Sequence, residues 1–248
     1  MKDLPGSRTH PFYTDMSRRG FLQRRTWSQG SYAPRFEVLR DRVMAKSVLD
    51  LGCSSGNWRE DWIHGQVAKV ASELVGLDID QSAVDQLKER GYDIRFGNAE
   101  DFDLQRTFDV VHAGELIEHL ENPGGMLRSA RRHLGPNGLL VLTTPNAFAL
   151  TNFVYRLNGK PRINGDHTCW YCEDTLGQLL GRTGFDVIEI RYLHYKAPGR
   201  LRSVLAALLR RMLPERLGWG TLVVVAEPAA SAFGSRVQDQ PAPGSHDD

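Results

Sequence analysis

The stretch Val48-Leu49-Asp50-Leu51-Gly52-Cys53-Ser54-Ser55-Gly56 decides how this chain is read. It reads as a buried apolar strand carrying an acid, followed by a turn of small residues bounded by glycines. An apolar run of that kind belongs in a parallel sheet covered by helices. Glycine presents no Cβ, so a ligand's atoms can lie directly against the N–H groups of the turn. The stretch is therefore a candidate cradle for a nucleotide-type cofactor.

Strands and helices alternate outward from it. A helix over Arg35 to Ala45 leads in, and a second strand follows at Leu74–Asp78. The next helix runs from Gln81 to Arg90, with Asp80 placed to cap it and Gly91 to end it. Strand three is Asp93–Phe96 and strand four Phe108–His112. A helix over Pro123–Leu134 then enters the turn Gly135-Pro136-Asn137-Gly138, ahead of strand five at Leu139–Thr143. A helix at Cys172–Thr183, a strand at Phe185–Arg191 and a last strand at Thr221–Ala226 complete the series. Such alternation predicts an α/β fold with a doubly wound, mostly parallel sheet.

The flanks differ. Residues 1–34 are basic and dotted with aromatics, and read as a leader or a lid. From Pro228 to Asp248 the chain is rich in Pro, Ala, Ser and Gly and reads as a disordered tail. The core domain is thus expected over residues 35–227. Within it, an insertion at about 199–214 carries Leu201, Val204, Leu205, Leu208, Leu209 and Met212 at helical spacing, among Arg200, Arg202, Arg210 and Arg211. That pattern of Leu201–Leu213 either packs on the domain or meets an anionic membrane surface.

Bulk composition narrows the function. Among 248 residues, Lys+Arg 31 against Asp+Glu 30 leaves a net charge of +1, which favours no nucleic-acid partner. Three cysteines are too few for a disulfide framework and suit a reducing compartment. Ser17-Arg18-Arg19-Gly20-Phe21-Leu22 has the twin-arginine look of an export signal, yet charge follows where an apolar run is needed. A cytoplasmic location is expected, with peripheral membrane contact as an extension. Cys169-Trp170-Tyr171-Cys172 lacks the second ligand pair that four-coordinate zinc requires, so no metal site is expected.

The turn also separates cofactor classes. Dinucleotide sites use G-x-G-x-x-G, and here no glycine stands at the middle position. No lysine follows to make a phosphate loop. Asp78 ends the second strand 22 residues after Gly56, close to the spacing of an acid that grips ribose hydroxyls. An adenosine cofactor without phosphates fits these features.

With these motifs in order, the chain resembles the class I S-adenosylmethionine-dependent methyltransferases, notably the broad group that includes the ubiquinone-biosynthesis O-methyltransferases. The resemblance rests on Val48–Gly56, Gly76-Leu77-Asp78-Ile79, Gly97-Asn98-Ala99-Glu100-Asp101, Phe108–Val111 with Glu115-Leu116-Ile117-Glu118-His119-Leu120, and Leu134–Leu140. It implies a Rossmann-like sheet of seven strands with the last antiparallel. It also implies that Gly52, Cys53 and Gly56 wrap the methionine part, with Cys53 a packing residue. Asp50 would hold the ammonium directly or through water, and Asp78, followed by Ile79, the ribose. The loop Asn98-Ala99-Glu100 would meet the adenine, and the Ala113 carbonyl the methionine amine.

The implied reaction moves a methyl group to a small or lipid-linked acceptor, expected to be an oxygen. A hydroxyl acceptor gains from a base, and the candidates are His119, His167 and Glu115. The alternatives are N-methylation, RNA modification through Arg18, Arg19, Arg24, Arg25, Phe21 and Trp27, and a non-catalytic protein that binds S-adenosylmethionine.

Overall fold

The computed structural model describes residues 35–157, 159, 164–193, 214–218 and 220–230. Residues 1–34, the segment Leu201–Leu213 and the tail beyond 230 lie outside the described residues, and so do the readings placed on them. In chain order the elements are α1 (Arg35–Val43), β1 (Ser47–Leu51), α2 (Ile63–Val67), β2 (Glu73–Asp78), α3 (Gln81–Glu89), β3 (Ile94–Phe96) and β4 (Phe108–Gly114). A 3₁₀ turn (Ile117–His119), α4 (Pro123–Arg132), β5 (Leu134–Pro145), α5 (Leu150–Leu157), α6 (Glu173–Arg182), β6 (Phe185–Leu193), α7 (Glu215–Gly218) and β7 (Thr221–Pro228) follow.

The seven strands form one sheet in the order β3-β2-β1-β4-β5-β7-β6. β7 is antiparallel to both of its neighbours, and the other pairings are parallel. Alternate side chains of β1 bury on opposite faces. Leu49 and Leu51 join Met126, Leu127, Leu176 and Leu180 of α4 and α6, while Val48 joins Leu39, Val43 and Val67 of α1 and α2. Asp50 therefore points to the α1–α2 face.

Local chemistry sets the helix starts. Asp80 accepts a hydrogen bond from the Ala83 N–H at 3.1 Å, and Gly91 takes the left-handed conformation just past α3. At α4, Asn122 accepts from the Gly125 N–H at 2.9 Å, and Pro123 occupies the first turn.

Three expectations change. Gly135–Gly138 is not a turn between elements: β5 already pairs at Leu134 with Phe108, then resumes at Leu139 with Val110. The four intervening residues bulge out, which accommodates Pro136 and its missing N–H donor. Cys172 lies outside its helix as the extended N-cap of α6, where Thr175 reaches back to its N–H. Pro228, read as the first residue of the tail, instead ends β7, and the Ala229 N–H donates to the Gly184 carbonyl. Helices α2, α5 and α7 are additions to the sequence reading.

Candidate active site

In open α/β sheets ligands bind beyond the carboxyl ends of the strands, where strand order reverses. That point lies here between β1 and β4, and a cleft of about 740 Å³ opens there. Its wall includes Asp50, Gly52, Cys53, Asp78, Ile79, Asn98, Ala99, Glu100, Glu115 and His119. Gly56, Ala113 and His167 do not line it. Gly56 sits at the turn's exit with a positive φ, and Ala113 is wholly buried, whereas its neighbour Gly114 faces the cleft.

Asp78 is nearly buried, and each of its oxygens accepts one backbone N–H: Ser54 at 2.8 Å and Asp80 at 3.0 Å. These bonds fix the carboxylate and leave a lone pair on each oxygen for a pair of hydroxyls. Ile79 beside it is exposed, an apolar surface suited to a flat ring. The Asn98 oxygen accepts the Glu100 N–H at 2.9 Å, shaping the loop, so any adenine contact shares that oxygen. One Glu100 oxygen also braces the loop, accepting the N–H groups of Glu121 and Asn122 at 2.7 and 2.8 Å.

Gly52 has φ +67°, and a Cβ there would fall 2.9 Å from Leu116. The turn thus keeps a hollow that only glycine leaves open. Cys53 packs against Gly76, where an added Cβ would meet its sulfur at 2.5 Å. Burial, reinforced by the carboxylates of Asp50 and Asp78, pushes the thiol far up, so it is no nucleophile. The hollow, the preset Asp78 and exposed Ile79 fit an adenosine cofactor with an amino-acid end.

Asp50 is not open to solvent. Oδ1 accepts from His112 Nδ1 at 2.6 Å and Oδ2 from His64 Nδ1 at 2.8 Å. Burial acts to raise its carboxyl, but His112 and His64 outweigh burial and hold it well below the usual carboxylate range. Neither histidine was singled out by the sequence reading. Asp50 and His112 are register partners on neighbouring strands, and His64 comes from α2.

The other rim carries a second group of titratable side chains. Glu115 has a φ of +50°, its N–H donates to the Thr143 carbonyl at 2.8 Å, and Arg35 lies 3.3 Å from its carboxylate. Left-handed backbone at a glutamate is strain held by surrounding structure. Burial raises the Glu115 carboxyl against the pull of Arg35. His119 and His167 meet edge to face with ring centroids 4.6 Å apart. Thr168 fastens this pair: its N–H donates to the Glu118 carbonyl at 2.8 Å and its hydroxyl to the Leu120 carbonyl at 2.7 Å.

Glu118 and Arg35 are further site residues that the sequence reading passed over. Glu118 is buried, with one oxygen on the Thr144 hydroxyl at 2.9 Å and the other unpartnered among the described residues. Burial and then Glu115 push its carboxyl up to about 7. Ligand-type atoms of Glu118, His119 and His167 lie within 4.8 Å of one another, close enough to hold a metal ion. The sequence signal for Glu118 was an acid inside the apolar run Leu116-Ile117 before His119.

The chain matches the family described as "Methyltransferase domain" over residues 26–190. It belongs to the S-adenosylmethionine-dependent methyltransferases. It is 32% identical over 160 residues to a ubiquinone biosynthesis O-methyltransferase of Azorhizobium caulinodans, covering 58% of this chain and 60% of that protein. A protein of the same description from Bradyrhizobium diazoefficiens is 31% identical over 145 residues, with 54% and 55% covered. The matches therefore span less than two thirds of these curated relatives' length. Among solved structures, the CcbJ methyltransferase from Streptomyces caelestis aligns with a TM-score of 0.58 at 16% identity, over 82% of this chain and 91% of that one. At that identity the likeness speaks for the fold. No helix among the described residues is long and apolar enough to cross a membrane.

Proposed function

We propose that this methyltransferase transfers the methyl group of S-adenosylmethionine to a hydroxyl oxygen of a small or lipid-linked acceptor. The observation that carries this reading is the His119–His167 pair, whose His119 lines the same cleft as Asp78. The O-methyltransferase descriptions of the curated relatives support it.

When bound, the donor supplies a methyl already activated by its sulfonium. The chain's own work is then orientation, which can lower a barrier by about 7–11 kcal/mol, and removal of one proton. Asp78 and the Gly52 hollow hold the adenosine and methionine ends, and Leu116 closes the floor beside the glycine turn. Burial first, and His119 second, lower the pKa of His167, so its ring is neutral at neutral pH. A neutral imidazole nitrogen at the rim takes the acceptor's hydroxyl proton as the oxygen turns nucleophilic. Arg35 balances Glu115, which limits the negative charge facing that oxygen.

His119→Gln and His167→Gln, made separately, are expected to cut turnover by roughly 100-fold or more at whichever position is the base. The measurement is S-adenosylhomocysteine formation with phenolic and other hydroxylated acceptors. Full turnover in both variants would remove the histidines from the chemistry. Binding of the donor without turnover across a wide acceptor panel would favour a non-catalytic role. Loss of activity with a chelator, restored by a divalent cation, would assign Glu118, His119 and His167 to a metal instead.

A lipid-linked acceptor would give the arginine-flanked apolar pattern of Leu201–Leu213 a role at an anionic interface. The exposed Phe148, Phe153, Val154 and Leu157 on and beside α5 support contact with an apolar phase. The full chain is expected to float with anionic vesicles and to lose that binding when those apolar residues of α5 become serine. Absence of the protein from the vesicle fraction would refute the membrane contact.

A further inference from the structure

At the methionine end of the cleft, the resemblance assigns the donor's ammonium to Asp50, and the geometry gives that task to another residue. Both oxygens of Asp50 are already engaged by Nδ1 atoms, of His112 at 2.6 Å and of His64 at 2.8 Å. An ionised carboxylate only accepts, so both Nδ1 atoms carry hydrogen. That fixes the tautomer, and the Nε2 of a neutral ring held this way is an acceptor.

Both residues line the cleft, and the two rings differ at Nε2. His64 Nε2 is buried without a partner among the described residues, in a ring enclosed by Trp62 and Tyr92. His112 stands on β4 at the point of strand reversal, and its Nε2 has no protein hydrogen bond among the described residues. Two residues on, Gly114 lies on the same face of β4. A Cβ there would sit 2.8 Å from His112 Cε1 and 3.0 Å from Nε2. The glycine makes room for the tip of this largely buried ring, and both residues line the cleft.

We infer that His112 is a donor-binding residue whose Nε2 receives the α-ammonium of S-adenosylmethionine, with Asp50 and His64 positioning its ring. This rests on S-adenosylmethionine being the ligand of the cleft. The chain ammonium–imidazole–carboxylate places Asp50's charge behind the contact, the imidazole standing where the resemblance allows a water. His64 secures the second carboxylate oxygen, so Asp50 cannot swing away from His112.

Calorimetry with two ligands tests this. S-adenosylhomocysteine carries the amino-acid end, whereas 5′-methylthioadenosine shares the adenosine and thioether and lacks it. His112→Asn keeps an N–H toward Asp50 and removes the ring tip. It is expected to weaken S-adenosylhomocysteine by about 10- to 100-fold, as befits a hydrogen bond to a charged group. Affinity for methylthioadenosine should stay at the wild-type value. Equal weakening of both ligands, or weakening of neither, would overturn the inference. Nitrogen NMR of the wild-type His112 Nε2 needs no variant: its resonance should move with S-adenosylhomocysteine and stay still with methylthioadenosine. A resonance that responds equally to both would likewise overturn it. Wild-type protein that binds neither ligand overturns the donor assignment itself, a separate and visible failure.

Discussion

Replacing Asp78 with alanine is expected to weaken S-adenosylmethionine binding by about 1.5–3 kcal/mol, roughly 10- to 150-fold. The carboxylate ends β2 at the cleft and is held by the Ser54 and Asp80 N–H groups. Its direction is thus set before any ligand arrives, and little ordering remains to be done on binding. Alanine removes the acceptor for the ribose hydroxyls and also frees the Ser54 N–H of the glycine turn. Calorimetric titration measures the loss. An unchanged affinity would mean that the ribose lies elsewhere and that the cleft is wrongly assigned.

Replacing Asp50 with alanine is expected to destabilise the fold by about 2–6 kcal/mol, because it strands two buried imidazole N–H donors that now share one carboxylate, at about 1–3 kcal/mol each. The pH dependence has a defined sign. The folded-state pKa of Asp50 is depressed, so its contribution is fully present above the unfolded value of about 4. It is lost as pH falls from there toward the folded value. The stability gap between wild type and Asp50→Ala, read from urea midpoints, should be full at neutral pH and narrow progressively below about pH 4. A gap that holds constant into stronger acid would show that the two histidines do not depress Asp50.

The parts of this protein that were legible in sequence are those written over short distances. β1 and its glycine turn, the acid at the end of β2 and the Asp80 cap each declare themselves within a few residues. Short helices did not: α2 has five residues, Gly65 and His64 among them, and no side-chain cap. The bulge of β5 looked like a turn because Gly-Pro-Asn-Gly has turn chemistry, and only pairing with β4 shows that the strand has already begun.

The site divides the same way. Asp78 and Gly52 were named from local motifs, and the cleft contains both. His64 and His112 reach Asp50 across 14 and 62 residues, and only strand register and helix packing bring them there. The Ala113 side chain is buried, and the next residue, Gly114, lines the cleft. Glu118 escaped notice because its importance comes from burial beside Thr144, which the run of letters does not express.

Thr168 gives the acceptor rim a property of its own. Its anchors are the carbonyls of Glu118 and Leu120, groups that every amino acid carries. The loop from Asn164 to Asp166 is therefore pinned beyond its end by main chain, which leaves the cleft-lining side chains of Asn164 and Asp166 at liberty to change. Asp78 and His112, the proposed donor contacts, stand on strands that cannot shift without breaking the sheet. A chain arranged in this manner can exchange one acceptor for another through a handful of loop substitutions, and keep its methyl source throughout.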